Sequence, residues 1–67
     1  MRKNLKVIYK MVDIHLQINE KTETYVHVTV FINGKNTGTL YIKKKDFLEL
    51  CEGLRTIYKD KFRVSEN

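Results

Sequence analysis

The chain has no proline, no tryptophan, one cysteine (Cys51) and only three glycines in 67 residues. A lone cysteine excludes an internal disulfide. No group of Cys and His stands at zinc-binding spacing, so both usual staples of a small domain are missing. No stretch approaches the ~18 consecutive apolar residues that a membrane helix requires. The basic start, Met1-Arg2-Lys3-Asn4-Leu5-Lys6, leads into an apolar run that Lys10 and Asp13 interrupt. It lacks the small-residue cleavage site of a signal peptide. A cytoplasmic location is therefore expected, and a single cysteine suits a reducing compartment. Repeats, low-complexity tracts and Pro- or Ser-rich linkers are also absent, so residues 1–67 are expected to form one small domain. A core of this size supplies only about 3–5 kcal/mol. Without staples, self-association becomes a natural supplement.

What is present is a globular composition, 42% hydrophobic and 31% charged, with a net charge of +5. Ten of the thirteen basic residues are lysine; only Arg2, Arg55 and Arg63 are arginine. Positive charge favours nucleic acid or an acidic partner, but it also simply keeps a small protein soluble.

The hydrophobic pattern changes period along the chain. From Val7 to Asn19, Val12, Ile14, Leu16 and Ile18 are apolar while Asp13, His15, Gln17 and Asn19 are polar. That is the alternation of a half-buried strand. Val7, Tyr9 and Met11 add apolar residues to the odd face at its start. Glu20-Lys21-Thr22-Glu23 reads as a turn. From Thr24 to Ile32, Val26, Val28, Val30 and Ile32 point one way and Tyr25, His27, Thr29 and Phe31 the other. Its β-branched and aromatic residues suit a strand. Asn33 to Gly38 reads as a hairpin loop, because Asn-Gly tolerates the positive φ of tight turns. Thr39 to Lys43 follows as a third strand, with Leu40 and Ile42 on the core face.

Beyond it, Phe47, Leu50, Cys51, Leu54, Ile57 and Tyr58 recur at spacings of three and four, the stripe of an amphipathic helix. Asp46 and Glu49 resemble a capping box. Lys59, Lys61 and Arg63 fall near the helix end, where they suit its dipole, and Ser65-Glu66-Asn67 reads as a frayed end. The expected fold is therefore α+β: a three-stranded antiparallel β-meander with one C-terminal amphipathic helix packed on one face (β-β-β-α).

In that fold the helix covers the even residues. Pairing core with core in the first hairpin sets Leu16 beside Val26 and Ile14 beside Val28, which places His15 beside His27. Tyr9, Met11, His15, Tyr25, His27, Phe31 and Tyr41 then lie on an open face. A contiguous exposed apolar patch marks an interaction site, though strands favour aromatics in any case. Arg2, Lys3, Lys6, Lys35, Lys59, Lys61 and Arg63 gather at one pole. Lys43, Lys44 and Lys45 lie at the other, near Glu20, Glu23 and Asp46. The bland alternative for such lysines is an ordinary solvated surface.

No chemistry-bearing constellation emerges. Two neighbouring histidines with only Asp13 nearby make an incomplete metal site. Cys51 lies on the apolar stripe with no base beside it, so it is expected to pack as a small hydrophobe. Asp46, Glu49 and Glu52 belong to the start and polar face of a helix, not to a carboxylate pair. Asn33-Gly34-Lys35 lacks the following Gly-Lys and helix of a phosphate loop. A non-enzymatic protein without cofactor or metal is expected.

Two readings of function remain. In the first, the open face binds another protein, or a second copy as a homodimer, with Tyr25, Phe31 and Tyr41 as anchors. In style of composition the chain resembles small accessory proteins of phages and mobile elements, many of which modulate or inhibit a host protein by occlusion. In the second, aromatics on an open sheet ringed by lysines are similar to the stacking platform of the RNA-recognition motif, which implies nucleic-acid binding. One helix in place of two, and no characteristic aromatic-glycine motif, set the chain apart from that family.

Overall fold

The computed structural model describes residues 11–66, the side chains of residues 20 and 21 excepted. The described chain runs β1 (Ile14–Lys21), β2 (Tyr25–Ile32), β3 (Lys35–Lys43), α1 (Lys44–Tyr58), a 3-10 turn (Lys59–Lys61) and β4 (Phe62–Glu66). It is a small α+β domain with a mixed four-stranded sheet in the order β3-β2-β1-β4. β1–β2 and β2–β3 are antiparallel, and β4 lies parallel to β1.

The alternating residues form the strands as expected, and the helix takes the even face. Leu16, Val26 and Val28 retain only 1–2% of their accessible surface. Phe47 and Cys51 of α1 close over them, with Leu54 and Tyr58 partly buried beside them. Burying each large aliphatic chain contributes about 1.5–3 kcal/mol. At spacings of four, three and four, these helix positions form one narrow seam.

Both hairpins close on local chemistry. In the first, the Thr22 hydroxyl accepts the Tyr25 N–H at 2.9 Å and donates to the Tyr25 carbonyl at 3.1 Å. In the second, Asn33 (φ 52°) and Gly34 (φ 81°) supply the paired positive φ angles of a two-residue turn.

Several expectations need correction. Among the described residues the first strand begins at Ile14, and Met11, Val12 and Asp13 are not part of it; the expected start at residues 7–10 lies outside the described part. Glu20 and Lys21 belong to β1 rather than to the turn. Residues 35–38 belong to β3, so the second loop is only Asn33-Gly34, with a register shift between Val30 and Phe31 in place of a longer loop.

The first hairpin pairs Leu16 with Val30 and Ile14 with Ile32, four residues away from the expected partners. An even shift keeps core residues facing core residues, so polarity alone could not choose between the two registers. A bulge between Ile18 and Glu20 then moves Glu20 opposite His27.

The helix begins at Lys44 with Lys43 as N-cap and no side-chain cap, so Asp46 and Glu49 form no capping box. The Lys44 N–H bonds instead to the Thr24 carbonyl at 2.8 Å. Asp46 still complements the dipole from the first turn. Finally, Ser65 and Glu66 are not frayed: they pair with Gln17 and Ile18 in the parallel fourth strand. The three-stranded antiparallel meander thus gains a parallel edge, and Phe62 (6% exposed) joins the core. Among the described residues no helix is long and apolar enough to cross a membrane.

Candidate protein-interaction face

The side of the sheet away from α1 is built from the odd positions of β1 and β2 and their cross-strand partners. It has two aromatic clusters and a polar seam between them. His15 of β1 faces Phe31 of β2, with ring centroids 5.6 Å apart and stacked. His27 of β2 faces Tyr41 of β3, with centroids 3.9 Å apart. Tyr25, one pair further along, is 43% exposed, and Tyr41 is 70% exposed.

Between the clusters lies Thr29, the buried polar side chain of the face at 7% exposure. Its hydroxyl bonds to the Asn19 amide and lies 3.3 Å from the Thr39 hydroxyl. No buried side-chain nitrogen or oxygen among the described residues lacks a partner. A satisfied polar group is what lets a buried threonine sit beneath an open surface.

β4 extends the face beyond β1. The His15 Nε2 and Ser65 Oγ share a hydrogen bond of 2.7 Å. Next to it, Arg63 donates from Nη1 to Asp13 Oδ1 at 2.7 Å. The Arg63 charge is therefore matched by an acid.

The sequence-predicted residues divide accordingly. His15, Tyr25, His27, Phe31 and Tyr41 share the face. His15 and His27 are not opposite each other; the register puts them against Phe31 and Tyr41. Met11 is 69% exposed but precedes the strands, and Tyr9 lies outside the described residues. Of the basic candidates, Arg2, Lys3 and Lys6 also lie outside them. Lys35, Lys59 and Lys61 stand at the pole where Ile14 pairs with Ile32 and Phe62, away from the centre of the face. Arg63 lies on the face itself, a place missed because β4 was missed. The signal was present: apolar Phe62 and Val64 alternate with polar Arg63 and Ser65.

As to chemistry, the described residues hold no group of three or more His, Cys, Asp and Glu able to bind a metal ion. Cys51 is buried, and burial pushes its thiol up from the ordinary value against a smaller opposing effect of the Arg55 charge. That disfavours the nucleophilic thiolate. No family model, curated protein or solved structure matches the chain.

Proposed function

We propose that this protein is a non-enzymatic protein-binding module that docks a partner on the open face of its sheet. The observation that carries the reading is the composition of that face. Two ring pairs, His15–Phe31 and His27–Tyr41, flank a polar seam on the side of the sheet away from α1; Tyr41 is 70% exposed and the other three rings are half-buried. Rigid aromatic groups beside satisfied hydrogen-bonding groups are the usual makeup of a protein-recognition surface. Among the described residues β3, nine residues long, is an edge strand beside Tyr41, a second element that an extended partner segment can use.

The nucleic-acid reading draws on the same rings, but it needs cations beside them to neutralise phosphates. On this face Arg63 is already paired with Asp13, and Lys43, opposite Tyr25, stands at one end. Lys35, Lys59 and Lys61 gather at a pole instead. Among the described residues, placement of charge thus favours protein over nucleic acid.

The test is a pull-down from cell lysate with three baits. A partner captured by the wild type and by K59Q/K61Q, but lost with Y25S/Y41S, supports the reading. Capture that survives Y25S/Y41S, or tight salt-sensitive binding of labelled single-stranded DNA or RNA lost in K59Q/K61Q, overturns it.

A further inference from the structure

Among the described residues the sheet has two edge strands, β3 and β4, and they are defended differently. β4 is five residues long and carries Arg63 and Glu66, with Arg63 drawn into its pair with Asp13. Shortness and charge are what keep an edge from adding another strand. β3 is nine residues long, and from Asn36 to Ile42 it holds no charge and no proline. Its pairing with β2 is irregular only near Thr37, which is skipped between the Gly38 and Asn36 pairs. From Gly38 to Lys43 the ladder is regular.

The ladder also fixes which backbone groups of β3 point outward. The Lys44 N–H bonds to the Thr24 carbonyl, one step beyond the Tyr25–Lys43 pair. Bonded and non-bonded pairs alternate in an antiparallel ladder. Ile42 and Leu40 are therefore the residues that bond to Val26 and Val28 of β2. Thr39 and Tyr41 turn both N–H and C=O away from β2. Lys43 turns its N–H outward, while its carbonyl begins α1 as the N-cap. Apolar groups flank this row on both sides of the sheet: Leu40, 49% exposed, on the helix side and Tyr41, 70% exposed, on the open side.

We propose that this edge pairs with the same edge of a second copy, β3 against β3 in antiparallel sense, about a two-fold axis at Tyr41. An antiparallel edge is its own complement under a two-fold axis. With the axis at Tyr41, this residue exchanges both bonds with its counterpart, and the Lys43 N–H donates to the Thr39 carbonyl of the second copy. Leu40 meets Ile42 on the helix side. Charge and regularity select this register. An axis at Thr39 sets Lys43 opposite Lys35, and like charges directly opposite are destabilising. An axis at Leu40 requires Thr37, where the strand is irregular. A second copy fits better than an unrelated strand, because one pairing covers both undefended edges at once. The charged β4 then stops further growth, which makes the assembly a closed dimer rather than a fibre. Pairing also supplements a small core that no internal disulfide supports. The inference goes beyond partner docking on the open face: backbone groups of the edge carry it, and the open faces of the two copies become one continuous surface.

The decisive variant is Lys43→Pro. Lys43 has φ −63°, the angle that proline adopts, and its N–H faces away from β2, so the substitution removes the outward donor and leaves the chain's own ladder complete. In sedimentation velocity at raised concentration, the wild type and Lys43→Gln are expected at twice the 8.0 kDa of one chain, and Lys43→Pro at the mass of one chain with an unchanged circular dichroism spectrum. Amide hydrogen exchange on the wild type reads the same contact without a variant: the Thr39, Tyr41 and Lys43 N–H groups are expected to be protected and to lose protection on dilution. None of these readouts depends on capture of a partner by the open face. A wild type that stays monomeric at every concentration, a folded Lys43→Pro that still dimerises, or a Tyr41 N–H that exchanges freely in the dimer would overturn the proposal.

Discussion

The two faces of the sheet are made from the same strands but are held together differently. On the helix side, Leu16, Val26 and Val28 are sealed by Phe47 and Cys51, and stability there comes from apolar surface removed from water. On the open side the central buried group is Thr29, held by Asn19 and Thr39 through hydrogen bonds. Its neighbours are ring pairs in which Tyr41 stands exposed and His15, His27 and Phe31 are half-buried. One face is specified by packing and the other by directional polar contacts. A small domain can leave its second face open only when that face has its own means of satisfying buried polar atoms.

The sharpest way to break the comparison is a cavity on the helix side. Leu16→Ala is expected to cost about 2–5 kcal/mol. Against a total of about 3–5 kcal/mol for a domain of this size, urea unfolding should show a chain mostly or wholly unfolded at room temperature. On the open side, Thr29→Val keeps the volume but leaves Asn19 and Thr39 without a shared partner. A loss of about 1–3 kcal/mol is expected in the same assay. If Thr29→Val proved neutral, the polar seam would contribute no specific stability.

Between the faces lies Lys59, where the chain leaves α1 for β4 at φ 54° and ψ −116°. A side chain is strained at that backbone conformation and glycine is not. Lys59→Gly is therefore expected to raise stability by about 1 kcal/mol, read as a higher urea midpoint at unchanged slope.

Smaller still is the Arg63–Asp13 pair, whose side chains are 54% and 39% exposed. After allowance for solvent screening, Asp13→Asn is expected to cost no more than about 1 kcal/mol, with the difference shrinking in high salt. Tyr41→Ser, at an accessible ring, is expected to change stability by only about 0.5 kcal/mol. A much larger loss would mean that the open face is part of the core rather than a surface. Cys51 offers a check without mutation: a thiol buried and pushed up should react slowly with a thiol reagent until urea unfolds the chain.

Much of this architecture was legible in the chain. The alternation from Val26 to Phe31 announced β2 and the division of its two faces. The three-four spacing from Phe47 to Tyr58 announced a helix and the core seam within it. Asn33-Gly34 announced the tight turn. Leu50 and Ile57 were grouped with the core because a helical wheel shows an apolar sector but not how wide a sector the sheet can cover; both stand exposed on one flank. Of the open-face residues, His15, Tyr25, His27, Phe31 and Tyr41 followed from parity alone, whereas Thr29, Asn19 and Ser65 acquire their roles only through cross-strand hydrogen bonds.

Residue periodicity by itself determined which segments are strand or helix and which side chains turn toward the core, because these depend on local geometry of two and 3.6 residues per repeat. Tertiary structure alone decided the register of β1 on β2, where any even shift satisfies the same polarity. It also decided where the alternating segment Phe62–Glu66 pairs. A five-residue segment gains its stability from parallel pairing with β1, some 48 residues away in the chain (Ile14 with Phe62), and no local pattern encodes that partner.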